Sequence, residues 1–163
     1  MTSNEASPIT QGTSTNTNHE HARQAVRVWL RLLSCTTLIE NQVSSRLRSE
    51  FDTTLPRFDL MAQLARFPAG LFMGELSQLL MVSNGNITGI TDNLERDGLV
   101  ERIMLPEDRR TRKVRLTEKG RVAFELMAAT HETWIECWIG GLNDHEQRQL
   151  YELLGKLKRS VQE

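Results

Sequence analysis

The chain has only two cysteines, and nothing in their placement suggests a pair. Cys35 and Cys137 lie far apart, each within an apolar helical pattern. This spacing excludes a C-x-x-C metal or redox motif as well as a disulfide framework. We expect both thiols to be buried as small apolar side chains in a reducing cytoplasm. A redox-sensing thiol is the alternative.

Long apolar runs and a prevailing charge are missing too. There is no stretch of about 18 apolar residues and the N-terminus is polar, so we predict neither a membrane span nor an export signal. We expect a cytoplasmic protein without a membrane partner. Because the net charge is −1, any attraction to nucleic acid must come from a local cluster of charge.

Groupings typical of catalysis or metal binding are also missing. We find no Ser/His/Asp grouping with supporting context, no phosphate-binding loop and no paired carboxylates with the signature of a cleft. His131 and His145 have no partner at the spacing of metal ligands, and His19 and His21 are expected to face solvent. The sequence therefore predicts no enzyme, no cofactor and no metal site.

The N-terminal part divides into a tail and a long helix. Residues 1–18 are rich in Ser, Thr and Asn and carry too little apolar surface to offset the entropy of ordering, so we expect a disordered tail. Glycine and proline are absent from Glu20 to Glu50, where apolar residues recur at helical spacing. A helix of about 30 residues is about 45 Å long, more than one small core covers. Its apolar stripe therefore predicts a second partner, most simply another copy of the chain.

The middle of the chain carries the most informative pattern. Glu75–Met81 has leucines at helical spacing, and Ser83 is a good N-cap for the helix that follows. There Ile87, Ile90 and Leu94 repeat at i, i+3 and i+7, which predicts the buried face. The opposite face is polar and contains Asn84, Gly85, Asn86, Thr88, Gly89, Asp92 and Asn93.

Two glycines on that polar face are informative. In a helix interior each costs roughly 1 kcal/mol relative to alanine, and a solvated face would gain from Ala, Glu or Lys. Gly85 and Gly89, beside Asn and Thr, indicate that another body approaches the backbone closely, as when a helix lies in the DNA major groove. A tolerated surface without a ligand is the alternative.

A hairpin with a basic tip follows. Gly98 suits the position just after the helix. Residues 99–104 and 113–117 predict two strands, with which Leu71–Met73 could pair as a third. From Arg102 to Arg121 there are eight Lys or Arg against three acids. A solvated face would explain such a run alone, but its place beside the polar helix favours nucleic-acid binding.

Two more helices complete the chain. Thr117 can cap a long helix that ends at Gly140-Gly141. Asn143 and Glu146 then form a capping box at the start of the last helix. The apolar stripe of that helix contains Leu150, Leu153, Leu154, Leu157 and Val161.

From about Ala22 onward, these patterns resemble the MarR family of bacterial transcription regulators. The most specific matches are Leu76–Leu80, Asp92–Arg102 and Pro106–Gly120. The resemblance implies a mainly α fold with a small β-wing, that is, a winged helix-turn-helix dimerised through its N- and C-terminal helices. It also implies double-stranded DNA with a pseudo-palindromic operator as the partner.

Mapped onto this chain, the resemblance assigns residues 51–117 to the DNA-binding domain and residues 19–50 and 118–163 to the dimerisation region. Asp108 and Arg110 match the acid and the arginine of the family's wing tip, where the arginine enters the minor groove and the acid holds its guanidinium. The residues expected to bind DNA are Ser83, Asn84, Gly85, Asn86, Thr88, Gly89, Asp92, Asp108, Arg109, Arg110, Arg112 and Lys113.

Within this set the chemistry suggests different roles. Asn84, Asn86 and Thr88 are the candidates for contact with base edges. The basic residues Arg109, Arg112 and Lys113 would contact phosphates, which adds affinity without sequence information. A carboxylate cannot donate a hydrogen bond, so we expect Asp92 to orient a neighbouring base or an arginine.

Two segments, Val82–Gly89 and Arg46–Arg48, are similar to family members that control the breakdown of plant-derived aromatic acids. Some of these sense hydroxycinnamoyl-CoA thioesters. The resemblance implies ligand contacts from Arg46, Arg48, Arg57, Phe58 and Met61, with the arginines suited to carboxylate or phosphate. Stabilisation of a helix C-terminus by the arginines is an equally open alternative.

The sequence thus predicts a dimeric repressor that an aromatic acid or its CoA thioester releases from an operator. One alternative keeps the fold but makes Cys35 or Cys137 a redox switch. Another is a winged helix that binds a protein instead of DNA.

Overall fold

The computed structural model describes the backbone of residues 14–105 and 108–162 and the side chains of residues 20–104 and 112–162. The elements in chain order are α1 (Ser14–Phe51), α2 (Leu55–Arg66), β1 (Leu71–Phe72), α3 (Met73–Leu79), α4 (Asn84–Arg96), β2 (Val100–Leu105), β3 (Asp108–Leu116), α5 (Glu118–Ile139) and α6 (Asp144–Gln162). The chain divides into two compact units, Met1–Gln42 and Val43–Glu163.

The long first helix is longer than predicted. It begins at Ser14 rather than near Glu20, so residues 14–18 of the predicted tail are helical, while residues 1–13 lie outside the described part. No Gly or Pro interrupts these positions, which leaves the backbone free to continue the helix. The helix ends where Asp52 takes a φ of 48° and the amide of Thr53 donates to the carbonyl of Leu47 at 3.2 Å. Such a left-handed residue is a common helix end.

The core of the second unit is built by the end of α1, by α2, α3, α4 and α5, and by the sheet. The predicted buried face of α4 is confirmed, since Ile87, Ile90 and Leu94 are all buried. The pattern missed Thr91, which is fully buried with its hydroxyl 3.8 Å from the sulfur of Met73. The largest fully buried side chains are Leu47, Leu60, Met61, Leu64, Leu76, Ile87, Leu94, Val100, Val114 and Thr91.

The three strands form an antiparallel sheet in the order β1-β3-β2. The predicted third strand is confirmed by the pairing of Leu71 with Val114. Strands β2 and β3 run further toward the tip than predicted, because the ladder continues past a register shift at Met104/Leu105. Polar residues pair their backbones as well as apolar ones do, so hydrophobic alternation missed this extension.

The start of α5 packs closely against the backbone of Leu99, just before β2. As predicted, the Thr117 hydroxyl caps the helix by accepting from the amide of Gly120 at 3.0 Å. A Cβ added at Gly120 would lie 1.8 Å from the carbonyl oxygen of Leu99. Only glycine permits this approach, so the Leu-Thr-x-x-Gly pattern has a steric cause.

The predicted capping box of α6 is confirmed. The side-chain oxygen of Asn143 accepts from the amides of His145 and Glu146, and Glu146 accepts from the amide of Asn143 at 2.9 Å. The helix buries none of its residues, and all five members of its predicted apolar stripe are exposed.

The predicted burial of the two cysteines is wrong. Cys35 on α1 and Cys137 on α5 are both exposed in the chain. Helical periodicity identifies the apolar face of a helix, but it does not say whether another element covers that face.

Among the described residues, no helix is long and apolar enough to cross a membrane.

Candidate nucleic-acid interface

The polar face of α4 begins at a well-formed N-cap. Ser83 has extended backbone angles, and its hydroxyl accepts from the amide of Asn86 at 3.4 Å, as predicted. The residues that follow it on the predicted DNA face are exposed, namely Asn84, Gly85, Asn86, Thr88, Gly89 and Asp92. The Thr88 hydroxyl donates to the carbonyl of Asn84 at 2.9 Å, which ties it to the helix backbone.

The two glycines of this face meet open space. A Cβ added at Gly85 or Gly89 would find no atom within 4 Å, helix backbone aside. Packing inside the described chain therefore does not account for either glycine. Since each weakens the helix by roughly 1 kcal/mol, their presence fits a partner that approaches the α4 backbone.

Asp92 accepts a hydrogen bond from an arginine of the wing. Of the two partners predicted for it, a base or an arginine, the structure shows an arginine: Nη2 of Arg102 on β2 donates to Asp92 Oδ1 at 2.5 Å. Arg102 also donates to Glu95 of α4, through its guanidinium and its backbone amide. Sequence reasoning counted Arg102 only as part of the basic cluster, because the pairing depends on the packing of β2 against α4.

The wing presents its basic residues unequally. Arg112 is exposed, whereas Lys113 is half-buried with its ammonium 4.9 Å from the centre of the Phe72 ring on β1. That cation–π contact was not predicted and holds the Lys113 side chain over the sheet. The side chains of Asp108, Arg109 and Arg110 lie outside the described residues, although their backbone belongs to β3.

The junction between α4 and the wing is clamped by polar contacts. Gly98 has a φ of 71°, which confirms it as the residue just after the helix. Its carbonyl accepts from the Thr117 hydroxyl, and the carbonyl of Asp97 accepts from the Lys119 ammonium, both at 2.7 Å. The carboxylate of Asp97 accepts from Arg57 on α2 at 2.5 Å. These contacts fix α4 relative to α2 and α5.

The five predicted ligand residues fall into different environments. Arg57 is engaged with Asp97, and Met61 is completely buried in the core. Arg48 is exposed in the last turn of α1. Phe58 is buried, with its ring 5.6 Å from that of Phe124 and 5.1 Å from that of His131.

Arg46 is the predicted ligand residue that lies in a distinctive site. Its guanidinium carbon is 5.5 Å from the ring centres of both Trp134 and Trp138. His131, whose ring is 6.2 Å from that of Trp134, continues this aromatic cluster, in which Trp134 itself is buried. Burial lowers the pKa of His131, and the nearby charge of Glu132 offsets this only in part, so the imidazole favours its neutral form.

Together, α3, the turn, α4 and the three-stranded sheet, whose β2–β3 hairpin is the wing, define a winged helix-turn-helix. The second helix of such a motif, here α4, is the one that enters the major groove of DNA. Its exposed polar face and the neighbouring basic hairpin therefore form the candidate interface. Within the described residues, no group of three or more His, Cys, Asp or Glu is placed to hold a metal ion.

Comparison with known proteins agrees with this class. The profile of the MarR family matches residues 53–111. A helix-turn-helix transcriptional regulator of Bacillus cereus is 31% identical over 133 residues, covering 81% of this chain and 87% of the relative. The transcriptional activatory protein BadR of Rhodopseudomonas palustris is 30% identical over 145 residues, covering 83% and 81%.

A solved structure gives the same result. The structure of Streptococcus pneumoniae FabT in complex with DNA superimposes with a TM-score of 0.73 and 26% identity, covering 85% of this chain and 97% of FabT. The chain belongs to the MarR family of DNA-binding transcription regulators.

Proposed function

We propose that this chain is a dimeric transcription regulator that binds a pseudo-palindromic operator and leaves it when a small aromatic acid, or its CoA thioester, binds. The observation that carries the proposal is the open face of α4, where Gly85 and Gly89 expose the backbone beside a basic wing. FabT, a relative in the same family, was solved with DNA bound.

On this face we assign roles by chemistry. The amides of Asn84 and Asn86 and the hydroxyl of Thr88 contact base edges. Arg109, Arg112 and Lys113 contact phosphates. Arg110 enters the narrow minor groove, with Asp108 orienting its guanidinium. These roles require α4 and the wing to engage one DNA half-site together.

Dimerisation supplies a second winged domain, which engages the second half-site of the operator. The stripe of α6 exposes large apolar side chains, as does the part of α1 within the first unit, for example at Trp29 and Leu33. A second copy that covers these stripes would remove that surface from water. It would also have to place the two α4 helices about 34 Å apart, one turn of DNA.

The proposed effector site is the surface around Arg46. The Arg46 guanidinium, 5.5 Å from both indole ring centres, offers charge for a carboxylate. The half-buried Trp138 beside it offers a flat face for an aromatic ring. The half-buried ring of His131 lies beside this site, whereas Phe58 behind it is buried. Arg57 is already paired with Asp97. A ligand that prefers a dimer with a different helix spacing lowers DNA affinity by its difference in affinity for the two states.

Repression is the output that we propose, since a dimer on an operator can occlude the promoter. Activation is the second candidate, because BadR, a 30% identical relative, is named an activatory protein. A reporter gene behind a promoter that contains the operator sequence bound by this protein distinguishes repression from activation. Deleting the regulator raises the signal of a repressed promoter and lowers that of an activated one.

A redox switch is a second candidate for the signal, because Cys35 and Cys137 are both exposed. A variant with serine at both positions distinguishes it from the small-molecule switch. If peroxide releases the wild type from DNA but not this variant, the redox mechanism is correct. If both proteins respond only to a hydroxycinnamate or its CoA thioester, the proposed effector class is correct.

The DNA face is tested by Gly89→Ala. Because the added methyl meets open space, we expect the helix to gain roughly 1 kcal/mol. Operator affinity should nevertheless fall about tenfold as the methyl enters the DNA contact. Binding is measured by gel shift on a duplex that the wild type selects from a randomised pool, and stability by thermal unfolding.

Gly155→Ala is the matched control, because it adds the same methyl inside α6. It should also stabilise its helix and leave operator affinity unchanged, with the oligomeric state checked by size-exclusion chromatography. Equal DNA affinity of Gly89→Ala and wild type would contradict the assignment of the α4 face.

A further inference from the structure

Two acids of α4 lie where DNA is proposed to approach. The side chain of Asp92 is 50% exposed and shares the polar face with Gly85 and Gly89, and Glu95 lies one turn further along. A carboxylate that faces phosphate groups repels them, and such like-charge contacts cost several kcal/mol at an interface. The acids therefore need compensation if α4 is to lie against DNA.

Arg102 supplies that compensation from the wing. One guanidinium nitrogen donates to Asp92 at 2.5 Å, and the other donates to Glu95. The backbone amide of Arg102 also donates to Glu95, at 3.3 Å. A single planar fork thus bridges two carboxylates spaced i, i+3 on the recognition helix.

The strand register aims Arg102 at α4. Arg102 lies opposite Val114, which is fully buried, and Val100 on the same face of β2 is buried as well. The Arg102 side chain is only 18% exposed, far less than either acid. Burial by itself lowers the pKa of Arg102, but hydrogen bonds and charges from Asp92 and Glu95 outweigh that effect and raise it. The guanidinium is therefore permanently charged.

We infer that Arg102 is a positioning residue for DNA binding, which acts by neutralising Asp92 and Glu95 on the recognition helix rather than by contacting DNA. This inference rests on the proposed function of the α4 face. Both terminal nitrogens of the guanidinium are engaged inside the protein, and little of the side chain is open to a phosphate. Arg102 thus differs in role from the exposed Arg112 of the same hairpin.

Three variants test the inference on a duplex that the wild type selects from a randomised pool. Arg102→Gln leaves two uncompensated acids, so we expect its affinity to fall about tenfold or more. Adding Asp92→Asn and Glu95→Gln removes those acids, and this triple variant should bind within about threefold of wild type. Arg121→Gln is the matched control, because Arg121 also pairs with two acids, Glu118 and Glu125, but lies on α5 outside the hairpin. It should bind as the wild type does.

The salt dependence separates this role from a phosphate contact. A triple variant that regains affinity and keeps the wild-type slope of log affinity against log salt supports the inference. If Arg102 instead contacts a phosphate, the triple variant stays weak and its slope falls by about one unit. That result overturns the inference, as does unchanged binding by Arg102→Gln.

Two further outcomes are decisive. Should Arg102→Gln fail to fold, as circular dichroism would show, the triple variant decides alone, because it carries no uncompensated acid at this site. If the wild type selects no duplex at all, the proposed function fails and the inference with it. Selection by the wild type without recovery in the triple variant rejects only the inference.

Discussion

Helices α4 and α6 carry similar apolar stripes, yet they use them in opposite ways. On α4, Ile87 and Leu94 are completely buried by the surrounding winged domain, whereas Leu153 on α6 is 64% exposed. In a single chain α4 is thus part of a finished core, and α6 still has an apolar face open to water. The comparison shows that an amphipathic pattern predicts a partner surface without saying whether the same chain supplies it.

The largest effect is expected at Gly120, where α5 packs against the backbone of Leu99. Gly120→Ala places a methyl 1.8 Å from the Leu99 carbonyl oxygen, within the backbone of the domain. The β2–α5 junction has to move apart, so we expect a loss of more than about 4 kcal/mol or no folding at all. Thermal unfolding followed by circular dichroism measures this loss.

Gly141→Ala is the control for that change, because its added methyl would meet no atom within 4 Å. It should unfold near the wild-type temperature. If Gly120→Ala is about as stable as the wild type, the contact between Gly120 and Leu99 is looser than the structure shows.

Replacing one leucine of each helix by alanine tests the comparison directly. Leu94→Ala removes a fully buried side chain, so we expect about 2–5 kcal/mol of destabilisation at every protein concentration. Leu153→Ala removes an exposed one and should change the stability of the monomer by less than about 0.5 kcal/mol. It should instead weaken self-association, which analytical ultracentrifugation measures. A large, concentration-independent loss in Leu153→Ala would show that α6 is already covered within one chain.

The smallest effect is expected at His131, where α5 packs on Phe58 of the winged domain. Burial lowers its pKa in the folded state below the ordinary value of 6.5. The unfolded chain therefore takes up a proton first as the pH falls, and the stability that the neutral imidazole provides is lost from about pH 6.5 downward. Urea unfolding between pH 8 and pH 5 should show this fall.

His131→Phe keeps an aromatic ring at this position and has no proton to bind. Its urea midpoint should fall less than that of the wild type over the same range of pH. Parallel profiles for the two proteins would assign the acid sensitivity to other groups.

Most of the winged domain could be predicted because its signals are local. The buried spacing of Ile87, Ile90 and Leu94, the cap at Ser83 and the left-handed glycine at Gly98 each depend on residues within a few positions. The predicted third strand was also correct, since Leu71–Phe72 is a short apolar run between turn signals. Local preferences and global fold agree in this region.

The candidate site was predictable only in part. The outward face of α4 followed from helical geometry, but the partners of its charges did not. Arg102 joins Asp92 across ten positions of sequence, and Arg57 joins Asp97 across forty. The sequence predicted a ligand contact for Arg57, and the structure adds that the packing of α2 brings this arginine to Asp97 at the end of α4.

By itself the sequence determined the helices, their caps, the hairpin and the polar glycine-bearing face, because these follow from periodicity and backbone preference over a few residues. The tertiary structure alone decided which faces are covered and which charges meet. It exposed Cys35 and Cys137, buried Thr91 and placed Arg102 between two acids. Burial and ion pairing depend on elements that are distant in sequence and adjacent in space, so no local pattern contains them.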